Sequence, residues 1–186
     1  MNPFALMAKS AARVGLRRLR HGPAYPSWPL QVEVALEVIR ETLVQAETYS
    51  AAELRAHQDR LAAQLPSPML KKVRRRAERF GGVSGEWFVP IDAPSEKDLP
   101  VLFYLHGGGY VFGSADTHGD LISAIACAGP LRIYAPSYRL APEHPFPAAL
   151  DDAQAAFDHF VSNVVPAGRL TIGGDSAGGG LSLALM

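Results

Sequence analysis

Hydrophobic residues recur with two different periods along the chain, and the change of period divides it in two. In the first part they return every three to four positions, which is typical of an amphipathic helix. One such helix is predicted by the stripe Val32, Leu36, Ile39, Leu43 and Ala46.

A second helical segment has a start signal of its own. Ser50 and Glu53 have the spacing of a capping box, in which each residue's side chain accepts a hydrogen bond from the other's backbone N–H. Pro66 and Pro68 end the helix that this box begins. The basic stretch 69–79 is interpreted as a further short helix before a Gly-Gly pair.

The second part of the chain alternates short apolar runs with helical patterns. Runs of this length are expected of strands buried on both faces. The predicted strands are "EWFVPI" (86–91), "PVLFYLH" (100–106), "LRIYAP" (131–136) and "RLTIGG" (169–174). Helices are predicted around 118–128 and 149–164, and the final residues begin another. Strands that alternate with helices predict a parallel sheet in an α/β fold.

Composition narrows the class of protein. The 186 residues are 48% hydrophobic, which suits one globular domain with a small addition. No apolar run approaches the length of a membrane span. Cys127 is the only cysteine, so no internal disulfide is expected. The N-terminal stretch lacks the apolar region of a secretory signal, and we expect a cytoplasmic protein.

The net charge is zero, but its distribution is uneven. Residues 1–80 hold 14 basic and 7 acidic side chains, whereas residues 81–186 hold 4 and 11. Basic clusters within 17–20 and 71–79 suit an anionic lipid or a nucleic acid as well as a solvated helix surface. No aromatic residues are interleaved with them, as base stacking requires. We therefore favour the solvated surface and expect no nucleic-acid partner.

A serine near the C-terminus lies on a predicted strand-to-helix turn. "GDSAG" (174–178) has the pattern G-x-S-x-G between a predicted strand and a predicted helix, which is the setting of a nucleophile elbow. Gly174 and Gly178 are explained by the same turn, because strand and helix are expected to pass so closely that a β-carbon at either position would clash. Ser176 is thus a candidate nucleophile.

A glycine-rich loop, "HGGGY" (106–110), directly follows a predicted strand. Consecutive glycines let backbone N–H groups converge on one point, where each donor stabilises an oxyanion by about 3–4 kcal/mol. Loops of this type occur in lipases and esterases. A dinucleotide fingerprint would need G-x-G-x-x-G running into a helix. Phe112 stands where its last glycine would be, which excludes the nucleotide interpretation.

A proline-rich stretch, "YRLAPEHPFPAALDD" (138–152), joins a predicted strand to a predicted helix. Its prolines restrict the backbone, so a structural connector is favoured over a catalytic role for His144. Together, "HGGGYVFGS", this stretch and "GDSAGG", in that order, resemble the hormone-sensitive-lipase group of α/β-hydrolases, which includes bacterial carboxylesterases. The resemblance runs from about residue 75 to residue 186.

The resemblance implies a fold, a domain division and a chemistry. Residues 76–186 would form an α/β-hydrolase core with a mostly parallel sheet and helices on both faces, with its C-terminal part absent. Residues 1–75 would form a helical N-terminal cap. The chemistry would be hydrolysis of carboxylic esters, often with short or medium acyl chains, through an acyl-enzyme. No metal and no organic cofactor are implied.

The same resemblance assigns roles to individual residues. The implied residues are the nucleophile Ser176; the oxyanion-hole residues Gly108, Gly109 and Ala177; and the supporting residues His106, Gly107, Gly174 and Gly178. For Ala177 there is a separate physical argument, because its N–H opens a helix whose dipole favours an anion there.

The partners that a serine nucleophile needs are missing from this sequence. In α/β-hydrolases the triad order is Ser, then Asp or Glu, then His. The ten residues after Ser176 contain neither acid nor histidine, and all six histidines precede it. We therefore expect the N-terminal part of a longer serine carboxylesterase, inactive as these 186 residues alone.

Two alternatives remain open: a non-catalytic small-molecule-binding protein on the same fold, and an inactive fragment. Fold alone does not decide between catalysis and binding. The intact "HGGG" and "GDSAG" motifs favour the enzyme, because a protein that only binds has less need of both. The expected partner is a small-molecule ester, and association into a homo-oligomer is left open.

Overall fold

The computed structural model describes residues 3–46, 48–64, 67–93, 95–164 and 167–186. Within these residues the helices are α1 (Pro3–His21), α2 (Leu30–Ala46), α3 (Ala51–Gln64), α4 (Gly119–Ala128), α5 (Ala148–Asn163) and α6 (Ala177–Ala184). The strands are β1 (Val73–Phe80), β2 (Val83–Pro90), β3 (Val101–Leu105), β4 (Arg132–Pro136) and β5 (Leu170–Gly174). None of the described helices combines the length and apolar character that crossing a membrane requires.

The chain divides into two compact units, Met1–Leu54 and Arg55–Met186. The division predicted from the sequence, a helical cap over 1–75 and a hydrolase core over 76–186, stays a prediction.

In the first unit, α1 and α2 pair through charged side chains. Glu33 and Glu37 of α2 are buried, and they form ion pairs with arginines of α1. Arg13 lies 2.8 Å from Glu37, and Arg18 lies 3.2 Å from Glu33. The predicted helix is present, but the stripe Val32, Leu36, Ile39 and Leu43 is exposed. Charged contacts therefore join the two helices.

The capping box begins α3, as the sequence predicts. The Ser50 N–H donates to the Glu53 carboxylate at 2.8 Å, and the Glu53 N–H donates to the Ser50 hydroxyl at 3.3 Å. The helix extends to Gln64; Pro66, the first proline expected to end it, lies outside the described residues.

The second unit is built on a five-stranded sheet with the order β1-β2-β4-β3-β5. Strands β4, β3 and β5 are parallel, and β2 joins β4 in the antiparallel sense. Strand β1 pairs antiparallel with β2 and completes a hairpin at the edge. The strands predicted from the apolar runs are confirmed as β2 to β5.

Each central strand buries side chains on both faces. Trp87, Phe103 and Tyr134 pack with α5 and α6, whereas their neighbours Phe88, Tyr104 and Ile133 pack with α4. Successive side chains of a strand point to opposite faces, so an unbroken apolar run fills both cores. The predicted α/β class with helices on both faces is confirmed.

The helix predicted over 69–79 is wrong. Residues Leu70–Lys72 form a single 3₁₀ turn, and Val73–Phe80 is strand β1. Phe80 faces Val83 across the two-residue turn Gly81–Gly82, where φ is +57° and +81°. A Gly-Gly pair with positive φ at both positions is a two-residue hairpin turn, and that signal outweighs the helical propensity of the arginines.

Phe160 should be a critical residue of the core between the sheet and α5. It is fully buried, and its ring packs against Phe80, Trp87, Phe103 and Tyr134. We expect Phe160→Ala to lower the free energy of unfolding by about 3–5 kcal/mol, because the cavity cannot close. The adjacent Val161, 42% exposed, supplies the control Val161→Ala. Urea unfolding measures both; equal losses would show that Phe160 has no special role.

Candidate active site

Two segments with the predicted chemistry leave the sheet at the same edge. Strands β3 and β5 are parallel neighbours, and Leu105 at the end of β3 pairs with Gly174 at the end of β5. The glycine loop 106–110 follows β3, and the turn 175–176 follows β5. Ligands of open α/β sheets bind outside the carboxyl ends of the strands.

The turn after β5 is sharp and strained at its serine. Ser176 has φ 51° and ψ −120°, is exposed, and immediately precedes α6. A side chain at positive φ costs about 1–3 kcal/mol, and the surrounding structure must hold it. A β-carbon on Gly174 or Gly178 would overlap the Leu105 carbonyl oxygen. The turn can take this form because both flanking residues lack a side chain.

The glycine loop has three successive residues with positive φ. The values are +117° at Gly108, +61° at Gly109 and +62° at Tyr110. The Val111 and Phe112 N–H groups donate to the Gly108 oxygen at 3.0 and 3.1 Å. A β-carbon on Gly108 would overlap the Phe112 oxygen. The loop thus folds back on itself in a form that only glycine allows at Gly108.

This conformation leaves backbone donors without partners. Within the described residues, the N–H groups of Gly108, Gly109 and Ala177 donate to no acceptor of the protein. Unpaired N–H groups at a strand end and a helix N-terminus attract an anion. The predicted oxyanion-hole residues therefore have the free hydrogen atoms that such a role requires.

Asp175 ties the glycine loop to the serine turn. Its Oδ1 accepts hydrogen bonds from the Gly107 N–H at 2.9 Å and from the Tyr104 hydroxyl at 2.7 Å. His118 Nε2 lies 3.6 Å from the other oxygen. Burial raises the pKa of Asp175, but these hydrogen bonds and His118 outweigh it, so that the pKa is lowered overall. The carboxylate is thus an ionised acceptor at neutral pH.

A second link runs from the loop to α6. The Tyr110 hydroxyl donates to the Ala177 oxygen at 2.9 Å. Among the described residues, only Tyr110 and Ser176 have positive φ without being glycine. Tyr110 donates this hydrogen bond, and Ser176 directly precedes its acceptor.

His106 is buried as a neutral side chain beneath the loop. It is 2% exposed and stacks on Tyr138, with ring centroids 4.3 Å apart. The Tyr138 hydroxyl donates to the His106 oxygen at 2.6 Å. Burial lowers the pKa of His106 to about 4. The imidazole packs in the wall of the loop, and no hydrogen bond joins it to Ser176.

An apolar cavity of about 330 Å³ opens beside the glycine loop. It is lined by Gly109, Tyr110, Ala141, His144, Phe146, Pro147, Ala149, Leu150, Leu181 and Ala184. Its volume falls within the range of small-molecule sites, about 300–1,000 Å³. His144, which the sequence assigned a structural role, is one of the few polar side chains facing it.

The serine hydroxyl has no hydrogen-bond partner among the described residues. Across the same residues, no three His, Cys, Asp or Glu side chains are grouped so as to hold a metal ion. The structure brings the glycine loop, Ser176 and Ala177 to one edge of the sheet, and the acid and histidine of a triad are not part of that arrangement.

Comparison with known proteins bears on the fold of this second unit. A family model described as alpha/beta hydrolase fold matches residues 102–186. These residues have the alpha/beta hydrolase fold. The α/β-hydrolase fold expected from the motifs is thereby confirmed.

Relatives of this α/β-hydrolase core include named esterases. Carboxylesterase NlhH of Mycobacterium tuberculosis is 34% identical over 159 residues, which are 81% of this chain and 48% of that protein. An acetyl-hydrolase of Streptomyces hygroscopicus is 42% identical over 106 residues, which are 57% of this chain and 34% of that protein. The chain spans about half the length, or less, of these curated relatives.

A solved structure extends the similarity to nearly the whole chain. An esterase from the bacterial hormone-sensitive lipase family has a TM-score of 0.67 and 29% identity, over 97% of this chain and 50% of that one. The predicted resemblance to the hormone-sensitive-lipase group is therefore confirmed.

Sequence reasoning missed two side chains that hold the α/β-hydrolase site together. Asp175 was passed over although it stands beside the serine in "GDSAG", and Tyr110 although it ends "HGGGY". Position within a motif was the available signal. Their partners, Gly107 and Ala177, lie 68 and 67 positions away, which the sequence does not reveal.

The crowding at α6 of the hydrolase core predicts a sharp difference between two of its glycines. A β-carbon on Gly178 would overlap the oxygens of Leu105 and His106, whereas one on Gly180 would meet only the Tyr110 hydroxyl, at 3.3 Å. We expect Gly178→Ala to lower the free energy of unfolding by about 1–3 kcal/mol or more. Gly180→Ala should stay within about 1 kcal/mol of the parent, since alanine favours a helix. Denaturant unfolding compares them, and similar values for the two variants would refute the close approach.

The buried His106 predicts a pH dependence of stability. Its pKa of about 4 lies below the ordinary 6.5, so the unfolded chain binds the proton more readily. The free energy of unfolding should therefore fall by about 3 kcal/mol as the pH drops from about 6.5 to about 4. Urea unfolding across this range, with His106→Gln as the comparison, measures the effect. The variant should have a shallower slope, and an identical slope would contradict the assignment.

Proposed function

We propose that the protein carrying this chain is a serine carboxylesterase. The observation that carries the proposal is the juxtaposition of an exposed, strained Ser176 with the unpaired N–H groups of Gly108, Gly109 and Ala177. Relatives named as a carboxylesterase and an acetyl-hydrolase support it.

In the proposed mechanism the Ser176 hydroxyl attacks the carbonyl carbon of a carboxylic ester. The carbonyl oxygen becomes an oxyanion, and the three N–H groups stabilise it. Each donor contributes about 3–4 kcal/mol to lowering the barrier. Collapse of the tetrahedral intermediate expels the alcohol and leaves an acyl-enzyme, which water then hydrolyses. His106, Gly107, Gly174 and Gly178 keep the loop and turn in the required conformation.

The serine also needs a general base. No described histidine forms a hydrogen bond with the Ser176 hydroxyl, and His106 is engaged with Tyr138. We propose that residues outside the described ones supply the histidine and its acid. On this proposal the 186 residues alone do not turn over an ester at the rate of an intact triad.

The substrate proposal rests on the cavity beside the loop. Its walls are mainly apolar, and Gly109 contributes to both the cavity and the predicted oxyanion hole. A volume of about 330 Å³ favours short or medium acyl or alcohol groups over long lipid chains. We further propose that the protein has no nucleic-acid partner, since Arg75 and Arg76 of the basic cluster pair with acidic side chains. A cytoplasmic location is a separate proposal, which rests on the sequence of the N-terminal stretch.

The competing function is ligand binding without catalysis. The same cavity supports it, because an apolar pocket with a few polar side chains is also a binding site. The two proposals differ in whether Ser176 forms a covalent intermediate.

Replacement of Ser176 tests the proposal in the full-length natural polypeptide. With p-nitrophenyl butyrate as substrate, Ser176→Ala should lower kcat/KM by at least about 10⁴-fold, because the covalent route is lost. The control Ser84→Ala changes an exposed serine of β2 and should match the parent. A phosphonate ester should add its mass to the peptide containing Ser176. Saturable ester binding with no turnover and no adduct would identify a binding protein.

A further inference from the structure

Arg55 of α3 joins the glycine loop to the proline-rich stretch. Its Nε donates to the Val111 oxygen at 2.7 Å, and its Nη2 donates to the Ala141 oxygen at 2.6 Å. The same guanidinium forms a two-point ion pair with Glu143, at 3.0 and 2.7 Å. One side chain therefore holds two backbone segments that are distant in sequence.

The two carbonyl groups belong to the segments that shape the predicted oxyanion hole. The Val111 N–H donates back to the Gly108 oxygen at 3.0 Å, so Val111 is tied directly to the loop glycines. The Ala141 N–H donates to the Tyr110 oxygen at 2.8 Å. A closed circuit of hydrogen bonds thus runs from Arg55 through Val111, the loop and Ala141 back to Arg55.

The loop needs such external support because its own conformation is unfavourable. Tyr110 has φ 62°, which a residue with a side chain rarely adopts. Strained backbone persists only where the surroundings determine it. Glycines at 107–109 contribute no side-chain packing of their own.

The hydrogen bonds of Arg55 to the two carbonyl oxygens, more than its ion pair, are expected to hold the loop in place. Glu143 is half exposed, and exposed ion pairs contribute little because solvent screens them. The Arg55 side chain is 27% exposed, and its planar guanidinium directs its donors at both carbonyl oxygens. Lysine has a point charge on a flexible stem and cannot reproduce this fork.

We propose that Arg55 is a positioning residue, which fixes the directions of the Gly108 and Gly109 N–H groups by holding Val111 and Ala141. Its effect on catalysis rests on the proposed esterase function. Arg55 donates to backbone oxygens rather than to the reacting atoms, so its loss should impair stabilisation of the transition state while leaving ester binding nearly intact.

A matched set of variants in the full-length polypeptide tests this role. Arg55→Ala removes the bridge, Arg55→Lys keeps the charge, and Glu143→Gln removes only the ion pair. Arg139→Ala is the control, because Arg139 forms a similar fork with Asp152 on the same stretch. None of the hydrogen bonds found for Arg139 among the described residues reaches the glycine loop.

The kinetic readout is the split between kcat and KM for p-nitrophenyl butyrate. Losing one oxyanion donor outright costs about 10²–10³-fold in kcat. In Arg55→Ala both donors are still present but less well aimed, so the expected loss is smaller, about 10- to 100-fold. Arg55→Ala should show that loss with KM changed less than about threefold. Arg55→Lys should fall between Arg55→Ala and the parent, while Glu143→Gln and Arg139→Ala stay near it. A raised KM with unchanged kcat would overturn the proposal.

Amide hydrogen exchange provides a readout that does not depend on catalysis. Exchange at Val111 and Phe112, whose N–H groups donate to the Gly108 oxygen, should accelerate in Arg55→Ala and not in Arg139→Ala. Unchanged exchange in Arg55→Ala would overturn the proposal even if the enzyme were active. Faster exchange in a protein without esterase activity would support the positioning role and reject the proposed function. If Arg55→Ala does not fold, Arg55→Lys decides by the same two measurements.

Discussion

The site depends on a contact between two stretches of backbone. The carbonyl oxygen of Leu105 would overlap a β-carbon on Gly174 or on Gly178, and that of His106 would overlap one on Gly178. The end of β3 therefore touches both the end of β5 and the first turn of α6. No side chain fits between them. The distance from glycine loop to serine turn is therefore set by main-chain atoms, whose positions vary less than those of side chains.

The strained residues are supported from several directions. Ser176 is fixed by the helix that follows it. Tyr110 is fixed by two hydrogen bonds: its hydroxyl donates to the Ala177 oxygen, and its backbone oxygen accepts from the Ala141 N–H. Asp175 adds a charged acceptor for the Gly107 N–H. A backbone conformation that costs free energy is thus held by hydrogen bonds from three different segments of the chain.

Local patterns allowed much of this fold to be predicted from sequence. Strands buried on both faces appear in the sequence as apolar runs, so β2 to β5 were recognisable. The close approach of strand and helix requires glycines on both sides of the serine, so the turn was recognisable from its G-x-S-x-G pattern. Strand β1 was not, because its arginines are as common in helices and its hairpin signal is only the Gly81–Gly82 pair. The α2 stripe predicted a helix correctly, but not that Glu33 and Glu37 would be the buried side chains. The support of the loop by Arg55 was also hidden, since Ala141 lies 86 positions away.

The charged contact between α1 and α2 has a consequence for how the first unit responds to its surroundings. Lys9 and Arg13 are more than half exposed, so dissolved ions reach the cationic side of their pairs with the largely buried carboxylates of Glu37 and Glu41. The Debye length falls from about 10 Å at 0.1 M salt to about 3 Å at 1 M, which weakens such pairs. The aromatic core around Phe160 is strengthened by salts such as sulfate that are excluded from protein surfaces. A concentrated sulfate solution thus loosens the outer ion pairs of the helix pair while it tightens the sheet of the second unit.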